Sequence, residues 1–114
     1  MSAILQLDPA QAAHWPADVL IIDVREAWEL EQANLRHLPT VALRHIPLGQ
    51  LPLRAAELDI LEGEGKTLAM LCHHGVRSMH AAYFLAQQGF DKLANITGGI
   101  DAWATALEPS VARY

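Results

Sequence analysis

The chain has 114 residues, of which 52% are apolar, and a formal charge of −5 from 8 Lys and Arg against 13 Asp and Glu. That length fits one domain, and that apolar share can build a core rather than a disordered chain. The acidic balance argues against nucleic acid and against an anionic membrane surface as partners. No stretch approaches the ~20 continuous apolar residues of a membrane span. The start, Met1-Ser2-Ala3-Ile4-Leu5-Gln6-Leu7-Asp8, lacks the basic-then-apolar pattern of an export signal. The single cysteine excludes an intrachain disulfide and a CxxC pair, and it fits a reducing, cytoplasmic setting.

In chain order, Asp8-Pro9 reads as a helix start, with a short helix from Ala10 to His14. Val19 to Ile22 is a continuous apolar run, the pattern of a strand buried on both faces, and Asp23 ends it. Glu26 to Ala33 has helical spacing of Ala27, Leu30 and Ala33. Val41 to Ile46 is a second predicted strand, closed by Pro47. Leu51 to Leu61 is a helix with Leu51, Leu58 and Leu61 on one face, followed by a turn at Gly63 and Gly65. Thr67 to Leu71 is a third strand, Met79 to Gln88 a helix stopped by Gly89, and Lys92 to Ile96 a further strand. After Gly98-Gly99, Ile100 to Leu107 forms the last helix. The expected unit is one domain over residues 1–107, with residues 108–114 as a tail.

Strands alternating with helices predict an α/β fold: a doubly wound, mainly parallel sheet of about five strands with helices on both faces. Such sheets bind ligands at the carboxyl ends of their strands. Cys72 follows one such end and Asp23-Val24-Arg25 follows another, so the two segments are candidates to line one crevice.

Cys72 opens the loop Cys72-His73-His74-Gly75-Val76-Arg77-Ser78, between a strand and a helix. N–H groups at a helix start converge with partial positive charge, and Arg77 adds a full one. Both favour the nucleophilic thiolate, or a sulfur carried on it. A lone cysteine is otherwise a small buried hydrophobe, but two histidines, a glycine and an arginine do not suit a dry core.

Three segments resemble the rhodanese family of sulfurtransferases, in its single-domain form. They are Ile22-Asp23-Val24-Arg25-Glu26 with Trp28-Glu29, then Cys72-x-x-Gly75-x-Arg77-Ser78, then Gly89-Phe90 through Gly98-Gly99 to Ala102-Trp103. Three motifs in order carry far more weight than one. The resemblance implies that Cys72 takes up a sulfane sulfur as a persulfide and hands it to a thiophile such as cyanide or a thiol. It implies no metal and no organic cofactor. The partners implied are a small-molecule sulfur donor and a thiophilic acceptor, with a protein persulfide as an alternative donor. The N–H groups from His73 to Ser78, Gly75 and Val76 included, would cradle the sulfur as an anion nest. Related phosphatases and arsenate-handling enzymes use a loop one residue longer, C-x5-R, which holds a tetrahedral oxyanion; the C-x4-R spacing here suits one sulfur atom. One stretch departs from the family. Arg36-His37-Leu38-Pro39-Thr40-Val41-Ala42 lacks two glycines that many members carry, which puts substrate access and partner choice at stake.

Each remaining residue has two readings. Arg77 anchors a donor or steadies the thiolate, against an ordinary surface residue. Arg25 serves the site, or pairs with Glu29 one helical turn on. Asp23 organises the site, or caps the helix after it, and Ser78 bonds the sulfur or caps its own helix. His73 and His74 raise the local potential or fill the loop surface. Adjacent residues in a tight loop are poor candidates for a metal site with Cys72. Competing functions are a partner-loaded sulfur relay or binding module, a phosphatase or arsenate reductase with a shortened loop, and a peroxide sensor, which normally wants a resolving cysteine. With no long apolar stripe, a monomer is the default.

Overall fold

A computed structural model describes residues 4–8, 10–11, 19–32 and 42–106, the last three by backbone alone. The predicted 10–14 helix thus lies mostly outside the described residues. So do Ala33, the 36–41 part of the glycine-poor stretch, and the 108–114 tail.

Five strands form one sheet: β1 (Ile4–Leu7), β2 (Val19–Asp23), β3 (Leu43–His45), β4 (Thr67–Leu71) and β5 (Leu93–Ile96). Their order is β1-β5-β4-β2-β3, and every neighbouring pair is parallel. Among the described residues, the helices that connect or follow them are α1 (Ala27–Gln32), α2 (Leu51–Gly63), α3 (Val76–Gln87) and α4 (Gly99–Ala106).

The central strands are buried on both faces because parallel strands need cover on both sides. Alternation sorts their side chains. Ile21, Ala69, Leu71, Ala94 and Ile96 face one cluster with Ile100 and Trp103 of α4. Leu20, Ile22, Leu68, Met70 and Leu93 face the other, with Leu51 and Leu58 of α2 and Ala81, Ala82 and Leu85 of α3. Leu61 packs against this second cluster too, as the spacing of α2 predicts. The parallel sheet with helices on both faces agrees with the sequence-based expectation.

The structure differs in places: Gly63, read as part of a turn, is the last residue of α2, and the turn falls at Glu64 and Gly65. Ile4–Leu7, to which the sequence reading assigns no element, is the edge strand β1, in register with Leu93–Ile96. Its pattern is weak, since Leu5 and Gln6 are exposed and only Leu7 is buried. Also, α3 begins at Val76, before the predicted start. Gly75 precedes it with φ of 101°, a left-handed turn that sends the chain directly from loop to helix.

From β2 the chain moves outward to β3; from β4 it moves the other way to β5. The strand order therefore reverses between β2 and β4, the switch point at whose carboxyl end such sheets bind ligands. Asp23 and Leu71 sit opposite each other there, and the Val24 amide donates to the Leu71 carbonyl at 2.9 Å. The two candidate segments meet at this point.

Candidate active site

Cys72 follows the last residue of β4, and its side chain is almost wholly enclosed, at 1% exposure. Two backbone N–H groups are aimed at its sulfur. Gly75 N lies 3.1 Å from Sγ and Ser78 N lies 3.3 Å from it. Amide donors converging from a turn and a first helical turn make an anion-holding concavity. A sulfur carrying negative charge accepts such bonds more strongly than a neutral one.

Ser78 is the third residue of α3, and the residue preceding the helix is Gly75, so the capping reading of Ser78 does not hold. Its hydroxyl faces the sulfur at 3.3 Å and donates to Asn95 Oδ1 on β5. Sequence reasoning passed over Asn95. Its signal was one polar residue in the buried run Leu93–Ile96.

The glycines of the closing motif explain the loop's shape. The Ile100 amide donates to the Cys72 carbonyl at 2.9 Å, and the Asp101 amide to the His73 carbonyl at 3.2 Å. A Cβ on Gly99 would lie 2.3 Å from the Cys72 carbonyl oxygen, closer than any real contact. The first turn of α4 thus presses against the loop through a residue with no side chain. His73 and His74 stack, with ring centroids 3.9 Å apart; His73 is half-buried, and the exposed His74 ring stands 3.9 Å from the Asp101 carboxylate.

Asp23 and Arg25 form a second layer. Both are fully buried. Arg25 Nη2 lies 2.7 Å from Asp23 Oδ2, and Nε lies 2.9 Å from Oδ1. The Arg25 amide also donates to Asp23 Oδ1 at 3.2 Å, so this carboxylate folds the turn between β2 and α1 around Arg25. His45 Nε2 donates to the Arg25 carbonyl at 2.7 Å, tying β3 to the same turn.

The charge on the loop is arranged differently from expectation. Glu29 meets Arg25 through its backbone carbonyl, 3.4 Å from Arg25 Nη1. The buried Glu29 carboxylate instead takes both terminal nitrogens of Arg77, with Nη2 to Oε2 at 2.7 Å. The Glu26 amide donates to it as well, at 3.1 Å. Arg77 is therefore a charge with a counter-ion, fastening the start of α3 to α1. Of the aromatic residues in the motifs, Trp103 is core and Trp28 is exposed at 61%.

The family model described as "Rhodanese-like domain" matches residues 7–106. The chain is 41% identical over 88 residues to YrkF of Bacillus subtilis, provisionally named a sulfur carrier protein; the match covers 77% of this chain and 43% of that one. The chain thus spans less than half the length of that curated relative. It is 34% identical over 95 residues to a protein named sulfurtransferase from Allochromatium vinosum, covering 83% of this chain and 80% of that one. Among solved structures, a rhodanese-related protein from Thermoplasma volcanium superposes with a TM-score of 0.71 at 28% identity, covering 96% of this chain and 99% of that one. With a match that runs from β1 to the end of α4, the chain belongs to the rhodanese-like family of sulfurtransferases and sulfur carriers.

Proposed function

We propose that the protein moves sulfane sulfur from thiosulfate or a persulfide donor to a thiophilic acceptor by way of a Cys72 persulfide. The observation that carries this reading is the pair of amides, Gly75 N and Ser78 N, directed at Sγ within 3.3 Å. Cys72 is the nucleophile, and the loop from His73 through Gly75, Val76, Arg77 and Ser78 holds the sulfur. Asp23 and Arg25 support that loop from behind.

With thiosulfate, the Cys72 thiolate attacks the outer sulfur. The bond between the two donor sulfurs breaks, and sulfite leaves with the electron pair. A new S–S bond on Cys72 carries the transferred atom, its negative charge held by the two amides. With a persulfide donor, a thiolate leaves instead. The acceptor then attacks the outer sulfur, and Cys72 departs as the thiolate it began as. The sulfur travels on the protein itself, so the reading assigns no metal and no organic cofactor. We assign the protein to the cytoplasm as a monomer of one domain, residues 1–107, consistent with its single cysteine.

A second reading, a partner-loaded sulfur relay with little small-molecule turnover, has its own support. Cys72 is deeply enclosed, and Arg77 is engaged by Glu29 rather than offered to a dianion. Thiocyanate formation from thiosulfate and cyanide separates the two. The first reading expects turnover that disappears in Cys72→Ser; the second expects little in either protein, but sulfur uptake from a persulfidated protein. Turnover unchanged in Cys72→Ser contradicts both.

A further inference from the structure

Asn95 is a buried amide, 5% exposed, in the apolar strand β5. Its side chain lies on the face of the sheet covered by α3, directly beneath the Cys72 loop. A Cβ on Gly75 would come within 3.9 Å of Asn95 Nδ2. Asn95 Oδ1 accepts the Ser78 hydroxyl at 2.5 Å, and Nδ2 donates to Gln6 Oε1 at 3.1 Å. Gln6 stands opposite Asn95 in the β1–β5 register, and its own Nε2 reaches Met79 Sδ at 3.3 Å. A continuous line of polar groups therefore runs from the sulfur to the exposed edge strand: Cys72, Ser78, Asn95, Gln6, Met79.

The Ser78 hydroxyl has one hydrogen and two neighbours that compete for it, Cys72 Sγ at 3.3 Å and Asn95 Oδ1. In this arrangement the hydrogen goes to Asn95, and an oxygen lone pair is left to accept from the Cys72 S–H. That arrangement suits a thiol. Once the thiol proton has passed to a base in solvent, the sulfur is charged and needs donors. The Ser78 hydrogen must then turn toward Sγ, which leaves Asn95 Oδ1 facing an oxygen lone pair. An amide resolves this conflict by rotating, so that Nδ2 faces Ser78, while the Gln6 amide turns with it to exchange its Oε1 for Nε2 as the partner of Asn95 Oδ1. A carboxylate in that place cannot, because an ionised carboxylate only accepts. We propose that Asn95 is a positioning residue for the sulfur, directing the Ser78 hydrogen through an amide that can present either end, with Gln6 setting which end it presents. This rests on the reading of Cys72 as the sulfur-carrying nucleophile.

The test is the rate at which iodoacetamide alkylates Cys72 at neutral pH in the full chain. It reads the thiolate whether or not any sulfur donor is accepted. Asn95→Asp is expected to slow alkylation about tenfold, Asn95→Leu to leave it within about threefold of the parent, and Ser78→Ala to shrink the Asp effect to under about threefold. An Asp effect of the same size with and without Ser78 overturns the proposal, since it then reflects only the added charge. Equal rates in Asn95→Asp and Asn95→Leu overturn it as well. Gln6→Leu, at an exposed position tolerant of replacement, is the second variant should Asn95→Asp fail to fold. It frees Asn95 to rotate, so alkylation is expected to rise, and a rate that stays level or falls contradicts the proposal. Loss of sulfur loading in the parent chain with these alkylation results intact would count against the sulfur-transfer reading alone.

Discussion

The Glu29 carboxylate, buried on α1, binds both terminal nitrogens of Arg77, which lies 48 positions later in the chain at the start of α3. One ion pair thus joins the turn after β2 to the loop after β4. It also answers the only cationic side chain of the Cys72-to-Ser78 loop with a charge of opposite sign. Replacing Glu29 by Gln removes the carboxylate charge that Arg77, 36% exposed, is paired with. The expected loss of stability is about 2 kcal/mol, below the cost of breaking a wholly buried pair, and urea denaturation measures it. The released charge should also favour a dianionic donor. Thiosulfate loading is expected to rise about fivefold relative to loading by a persulfide, on the order of 1 kcal/mol of added attraction.

Gly99 should tolerate no side chain. A Cβ there meets the Cys72 carbonyl oxygen at 2.3 Å and the His73 carbonyl oxygen at 2.5 Å, at a φ of 62° that alanine adopts only with strain. Gly99→Ala is expected to cost about 2–3 kcal/mol in a urea melt. In the fraction that folds, displacement of the loop should reduce loading of Cys72 more than it reduces stability. A variant with parent-like loading would show that α4 does not shape the loop.

Much of this arrangement was legible in the sequence, and the reason is local. Val19–Asp23 and Thr67–Leu71 are continuous apolar runs, so both central strands could be placed to within a residue. Gly75, Gly98 and Gly99 all carry positive φ where turns were expected. What escaped depends on contacts between segments far apart in the chain. The short strand Ile4–Leu7 gains its identity from pairing with β5, not from its own pattern. Helical spacing offered Arg25 as the partner of Glu29, whereas Arg25 is claimed by Asp23 and the carboxylate turns to Arg77. Asn95 drew no attention in a core strand, because its partner Ser78 belongs to α3, 17 positions away.

Away from the site, the acidic limb of stability should carry a small, traceable contribution. The Arg54 guanidinium, and Arg44 beside it, hold the Glu57 carboxyl below the usual carboxylate range. A carboxyl lowered in the folded state stabilises the fold above its unfolded value, about 4.3, and loses that contribution as pH falls through the folded one. The trio lies at the surface, each side chain about a third exposed or more, so the effect is that of an ordinary surface pair. The urea midpoint of the parent should exceed that of Glu57→Gln at neutral pH, and the gap should close as pH falls below the ordinary glutamate value and through the lowered folded one. A gap that persists in acid would rule out the ion pairs as its source.

The central claim is that Cys72 carries sulfur, and intact-mass measurement tests it most directly. The purified protein is mixed with thiosulfate or with glutathione persulfide, freed of excess donor and weighed. The account predicts the gain of one sulfur atom on the parent chain, its removal by cyanide, and no gain in Cys72→Ser. A parent chain that takes up sulfur from neither small donor nor a persulfidated protein, or a Cys72→Ser chain that gains the same mass, would contradict it.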